Sequence, residues 1–112
     1  PKVRIRVPVG VAYGTDLKLL EDLLLEAAVE HPKALSDPSP LVMFNEFGDS
    51  SLNFELAVWT EEMTATPIHF TSQMNFIIEK KLRDNDIEIP FPQRDLHVRS
   101  GLSQSMNEKK FS

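Results

Sequence analysis

Three histidines, a row of carboxylates and a pair of serines are the side chains here whose types could do chemistry. Metal-binding histidines on a helix recur at close helical spacing, whereas His31, His69 and His97 fall at a helix end, an early helical turn and a late strand. They read as solvated or hydrogen-bonded surface residues. Asp16, Glu21, Asp22, Glu26 and Glu30 could suggest acid-base catalysis. That work needs one carboxyl of a pair displaced by burial or close repulsion, and acids strung along one helix face are the pattern of a solvated surface. Ser50-Ser51 lacks the Gly-x-Ser-x-Gly surroundings of a nucleophile and reads as part of a turn. Gly10, Gly14, Gly48 and Gly101 build no phosphate-cradling loop. The expectation is no enzyme, no metal and no cofactor.

Composition narrows the field further. A chain of 112 residues, 41% apolar and 26% charged, has the length and mixture of one soluble globular domain. With 12 Lys and Arg against 17 Asp and Glu, the formal charge of -5 disfavours phosphate backbones and anionic lipid, so no nucleic acid is expected as a partner. The absence of cysteine removes disulfides and thiolate metal sites and fits a reducing compartment. Apolar runs such as Leu23-Leu24-Leu25 and Phe76-Ile77-Ile78 fall far short of the roughly 20 residues that cross a bilayer. Pro1 is not preceded by an initiator methionine, as expected of a segment cut from a longer chain.

The elements that must position these residues follow from periodicity. Val3, Ile5, Val7, Val9 and Val11 alternate with Arg4 and Arg6, predicting a strand over 3–12 with one buried face. After Gly14, Thr15 offers a helix cap and Asp16 lies near the positive end of the dipole. The helix presents Leu17, Leu20, Leu24, Ala27 and Ala28 on one stripe, widened by Leu19 and Leu23, and stops near residue 30 ahead of Pro32. Residues 41–47 and 51–59 both alternate around Gly48-Asp49-Ser50 and predict an antiparallel hairpin, with Leu52, Phe54, Leu56 and Val58 as its buried row. Thr66-Pro67 opens a second helix carrying Phe70, Met74, Ile77, Ile78 and Leu82, which closes near Asn85 or Asp86. Leu96 to Arg99 can form a last short strand.

The order β-α-β-β-α-β predicts an α+β ferredoxin-like sandwich, a four-stranded antiparallel sheet with two helices on one face. That fold hosts many functions, and the site must choose among them. An RNA-binding sheet needs stacking aromatics, but the outer row Ser51, Asn53, Glu55 and Ala57 offers none before Trp59. An acylphosphatase-like enzyme needs an arginine in an anion-cradling loop after its first strand, where Tyr13-Gly14-Thr15-Asp16 stands instead. Arg4, Arg6 and the Lys80-Lys81-Arg83 cluster read as partners for acids within the fold or between subunits.

Three segments, in order, resemble the C-terminal cytoplasmic domain of the small-conductance mechanosensitive channel (MscS) family. One runs from Val7 to Asp16 with a Val-x-Tyr-x-x-Asp pattern, and another is Gly48-Asp49-Ser50-Ser51 feeding the strand that follows. The last, Ile87-Glu88-Ile89-Pro90-Phe91-Pro92-Gln93-Arg94-Asp95-Leu96, is the family's most recognisable stretch. The resemblance covers about residues 3–99. It implies a vestibule-forming domain, residues 1–99, of a channel that opens under membrane tension to release solutes on hypoosmotic shock. The domain would sit on the cytoplasmic side of the inner membrane and self-associate as a homoheptamer, with ions and small solutes passing through the parent channel. Membrane contact would come only through segments missing here. Asp86 stands where the family often has a helix-ending glycine. The tail 100–112 lacks the alternation of the small barrel that closes the cage in some members, and it is expected to be disordered. Pro90, Phe91, Pro92 and Gln93 read as a stiff rib for subunit contact, since two prolines fix an extended backbone around an aromatic. A small-ligand or protein-binding regulatory module of the same fold remains the alternative.

Overall fold

The computed structural model describes residues 1–61 and 67–90. Its elements run β1 (Val3–Val11), α1 (Leu17–Glu30), β2 (Leu41–Phe47), β3 (Leu52–Thr60) and α2 (Ile68–Asp84). The three strands form one antiparallel sheet in the order β1-β3-β2, so the hairpin's second strand inserts between the first two. β3 holds the central place and is buried along nearly its whole length. The fourth strand expected at Leu96–Arg99, and the tail expected to be disordered, lie outside the described residues.

Register puts the apolar rows on one face. Ile5, Val7, Val9 and Val11 stand opposite Val58, Leu56, Phe54 and Leu52, and Val42 and Phe44 of β2 join Leu56 and Phe54 from the other side. Both helices close over this face. Leu20, Leu23, Leu24, Ala27 and Ala28 of α1 meet Phe70, Met74, Ile78 and Leu82 of α2 in one buried cluster. Leu17, Leu19 and Ile77 pack at its margin, half-buried. Each fully buried aliphatic side chain here contributes about 1.5–3 kcal/mol relative to exposure.

Local chemistry sets the helix ends and corrects the expected cap. Asp16, not Thr15, caps α1: its Oδ1 accepts the Leu19 N–H at 3.1 Å, while the Thr15 hydroxyl turns back to donate to the Ala12 carbonyl at 2.7 Å. At the far end of α2, Asn85 is the cap and Asp86 takes a positive φ of 57°. The Ile87 N–H then reaches the Leu82 carbonyl at 2.9 Å, the bond that closes a helix through a left-handed residue. Asp86 thus does what a glycine would do with less strain.

Two further differences from the sequence reading have clear causes. β2 does not alternate throughout, because a bulge between Phe44 and Glu46 shifts the register by one residue. The shift brings Phe47 onto the same face as Phe44, with ring centroids 4.9 Å apart. His31 is not a surface residue but is 1% exposed, stacked on Phe70 with centroids 4.0 Å apart. Its Nδ1 accepts the Lys33 N–H at 3.0 Å, which leaves the proton on Nε2 to donate to the Phe70 carbonyl at 3.1 Å. Neutral His31 therefore ties the end of α1 to the start of α2. Among the described residues no helix is long and apolar enough to cross a membrane.

Candidate assembly site

The three motif segments, far apart in sequence, meet at one end of the sheet. Val11 ends β1 opposite Leu52, and Leu52 stands opposite Phe47 at the end of β2. Just past β1, the Ala12 N–H donates to the Glu88 carbonyl at 2.9 Å, which brings the chain leaving α2 alongside. The Tyr13 hydroxyl donates to the Gly48 carbonyl at 2.6 Å, tying the first loop to the hairpin turn. One corner thus holds the first two segments and the described start of the third, residues 87–90.

Turn chemistry explains why these residue types are needed. The Gly48 N–H donates to the Ser51 carbonyl at 2.8 Å and closes the Gly48-Asp49-Ser50-Ser51 turn. A Cβ on Gly48 would lie 2.7 Å from Asn53 Nδ2 and 2.8 Å from the Ser51 carbonyl oxygen, so any larger residue forces the turn apart. Gly14 has a φ of +92°, a conformation that lets the chain reverse between Tyr13 and the Asp16 cap. The Ser51 hydroxyl donates to Asn53 Oδ1 at 2.7 Å, and Asn53 Nδ2 lies 3.3 Å from Glu46 Oε2. These groups satisfy one another and hold backbone in place.

The charged residues elsewhere in the fold form internal pairs. Arg6 lies 3.4 Å from Glu55 on the outer sheet face, and Arg4 sits 6.0 Å above the Trp59 ring. On the helix side Lys81 donates to Glu30 at 2.6 Å and to Glu26 at 3.4 Å, joining α2 to α1. The hydrogen bond to Glu30 is the main reason its ammonium is held above the usual lysine range, with burial opposing and Glu26 adding to the shift. Lys80 pairs with Asp84, and Arg83 with Glu79. Among the described residues, no three His, Asp or Glu side chains gather to hold a metal ion.

Of the rib residues expected from the sequence, Pro90 is half-buried at the end of the described chain, while Phe91, Pro92 and Gln93 lie outside it. Ile89, just before it, is 51% exposed. Sequence reasoning missed the aromatic edge formed by Phe44 and Phe47, which are 40% and 76% exposed. Phe44 stacks on buried Phe54 with centroids 4.5 Å apart. Only the bulge brings Phe44 and Phe47 together, and alternation alone places them on opposite faces.

The fold is an α+β domain whose motif residues shape one corner of the sheet. The family model described as "Mechanosensitive ion channel MscS, C-terminal" matches residues 5–89. The chain belongs to the MscS family of mechanosensitive channels, as its C-terminal domain. It is 36% identical over 107 residues to the mechanosensitive channel MscK of Escherichia coli, a match covering 96% of this chain and 10% of that one. To the small-conductance mechanosensitive channel of Edwardsiella ictaluri it is 37% identical over 98 residues, covering 88% of this chain and 34% of the relative. A crystal structure of Helicobacter pylori MscS in its closed state superposes with a TM-score of 0.75 at 28% identity, over 89% of this chain and 39% of that one. The chain therefore spans between about a tenth and a third of the relatives it matches. These relatives are channels rather than enzymes.

Proposed function

We propose that this domain forms the wall of the cytoplasmic vestibule of a tension-gated channel that releases solutes on hypoosmotic shock. The domain acts by assembling with copies of itself, a homoheptamer in this reading, and by shaping the path of ions and small solutes. The observation that carries it is the convergence of the three motif segments at one corner, through the Tyr13 to Gly48 and Ala12 to Glu88 hydrogen bonds. A wall element needs a fixed corner to meet its neighbour.

Two finer features belong to the same reading. Leu96–Arg99 adds a fourth strand and completes a ferredoxin-like sheet, and Pro90, Phe91, Pro92 and Gln93 form the contact rib. The domain lies on the cytoplasmic side of the inner membrane, held there by other parts of the parent protein. The full-length protein is expected to restore survival of osmotic downshock in cells lacking their own mechanosensitive channels. Survival no better than that of empty cells would sink the proposal.

A further inference from the structure

Two stretches of the surface are apolar and nearly free of charge. On α2, Ile68 to Ile78 include no Lys, Arg, Asp or Glu, while Ile68 and Phe76 are 65% and 77% exposed. Thr71, Ser72 and Asn75 between them leave a shallow hollow of about 480 Å³, lined also by Glu79, which is paired with Arg83. The second stretch is β2, uncharged but for Glu46, where Leu41, Phe44 and Phe47 are exposed. Glu46 accepts from Asn53, and Lys18 beside Phe44 is paired with Glu21 and Asp22. α1, by contrast, carries Lys18, Glu21, Asp22, Glu26 and Glu30 on its water-facing side, the usual pattern of a solvated helix.

These two surfaces lie on opposite flanks. α1 packs over β2 and β3, whereas α2 packs over β1, and β1 and β2 are the outer strands of the described sheet. Phe70 stacks on His31 at the end of α1, and Lys81 reaches Glu26 and Glu30, which marks the side of α2 that faces α1. At about 100° per residue, Ser72, nine residues before Lys81, points the opposite way, with Ile68 and Phe76 one turn to either side.

We propose that the stripe of α2 formed by Ile68, Ser72 and Phe76 in one copy packs on the Phe44 and Phe47 margin of β2 in the next. The contact rests on the assembly reading above and names its two surfaces. Exposed apolar side chains gathered in this way mark contact surfaces, and symmetry and charge select a second copy as the occupant. A ring of seven cannot be built from self-complementary contacts, which pair subunits off in twos. It needs two different surfaces facing away from each other, as these do. The described residues hold fourteen Asp and Glu against eight Lys and Arg, so copies repel unless they meet where charge is absent or already paired, as it is at both surfaces. The hollow around Ser72 is open to the ring of Phe47, the more exposed of the two aromatics.

Residues 1–112 hold no cysteine, so paired substitutions read the contact directly. In the full-length protein in membranes, with cysteines elsewhere replaced by serine, Phe47→Cys and Phe76→Cys in one chain should give a ladder of multimers with a short bis-maleimide. Each single substitution should give at least about tenfold less product, because only the mixed pair is held at high effective concentration. Both side chains are exposed, so neither substitution opens the core. A ladder from the double variant alone supports the contact. It is overturned if a single variant links as well as the double, which would mean that two α2 stripes or two β2 margins face each other. It is equally overturned if the double variant gives no ladder although native electrophoresis shows the multimer, which would mean that something else covers α2. A protein that runs as a monomer in that gel overturns the assembly reading itself, and the contact falls with it.

Discussion

The interior beneath the helices and the corner where the three segments meet are held by different physics. The interior is apolar contact, in which Leu20, Leu24, Leu56 and Met74 are almost wholly excluded from water. The corner is a set of single hydrogen bonds on partly exposed backbone, such as Tyr13 to Gly48 and Gly48 to Ser51. Many residue sets of similar volume fill an interior, so packing fixes stability more than identity. A turn that tolerates no Cβ, or a hydroxyl that must reach one carbonyl, admits few residue types.

Breaking the interior should cost most. Leu24→Ala leaves a cavity against α2 and the sheet, and chemical denaturation should show a loss of about 2–5 kcal/mol. Breaking the corner should cost less but be more local. Gly48→Ala drives a methyl against Asn53 and the Ser51 carbonyl and is expected to cost about 1–3 kcal/mol, with amide exchange accelerated in the turn and unchanged in α1. An equal rise in exchange throughout would mean that corner and interior are one cooperative unit.

The remaining two predictions sharpen the boundary between the regions. Asp86→Gly removes the strain of a positive φ where α2 passes into the corner, and thermal unfolding should show a gain of about 0.5–1 kcal/mol. Lys81 bridges the two helices over the interior. Its raised pKa means that the folded state binds its proton more tightly than the unfolded chain does. Its contribution is therefore complete below the ordinary lysine value and is lost as pH rises through the higher folded value. The loss should be at most about 1 kcal/mol, since Glu26 and Glu30 are solvent-exposed, and it should vanish in Lys81→Met.

Much of the interior is legible in the sequence because burial imposes a period. Val7, Val9 and Val11 of β1, the even-numbered row of β3 and the stripe of α1 fall where alternation or helical spacing places them, whereas Val3 at the start of β1 is exposed. Local polar choices are harder to read. Thr15 and Asp16 can both cap a helix, and only the path of the chain decides that Asp16 does. His31 looks like a surface histidine at a helix end, yet two backbone groups 39 and 2 residues away make its burial affordable. The aromatic margin was hidden for a similar reason, since a single bulge residue decides which face Phe47 occupies. The corner itself was legible as motifs, but not as one place until the register joined them.

The most direct test of the central claim is electrical. Patches from cells lacking other mechanosensitive channels, and expressing the full-length protein, should pass a current that appears only as suction raises membrane tension and closes when suction is released. Patches that stay silent up to the tension at which they rupture, with the protein present in the membrane, would contradict the account.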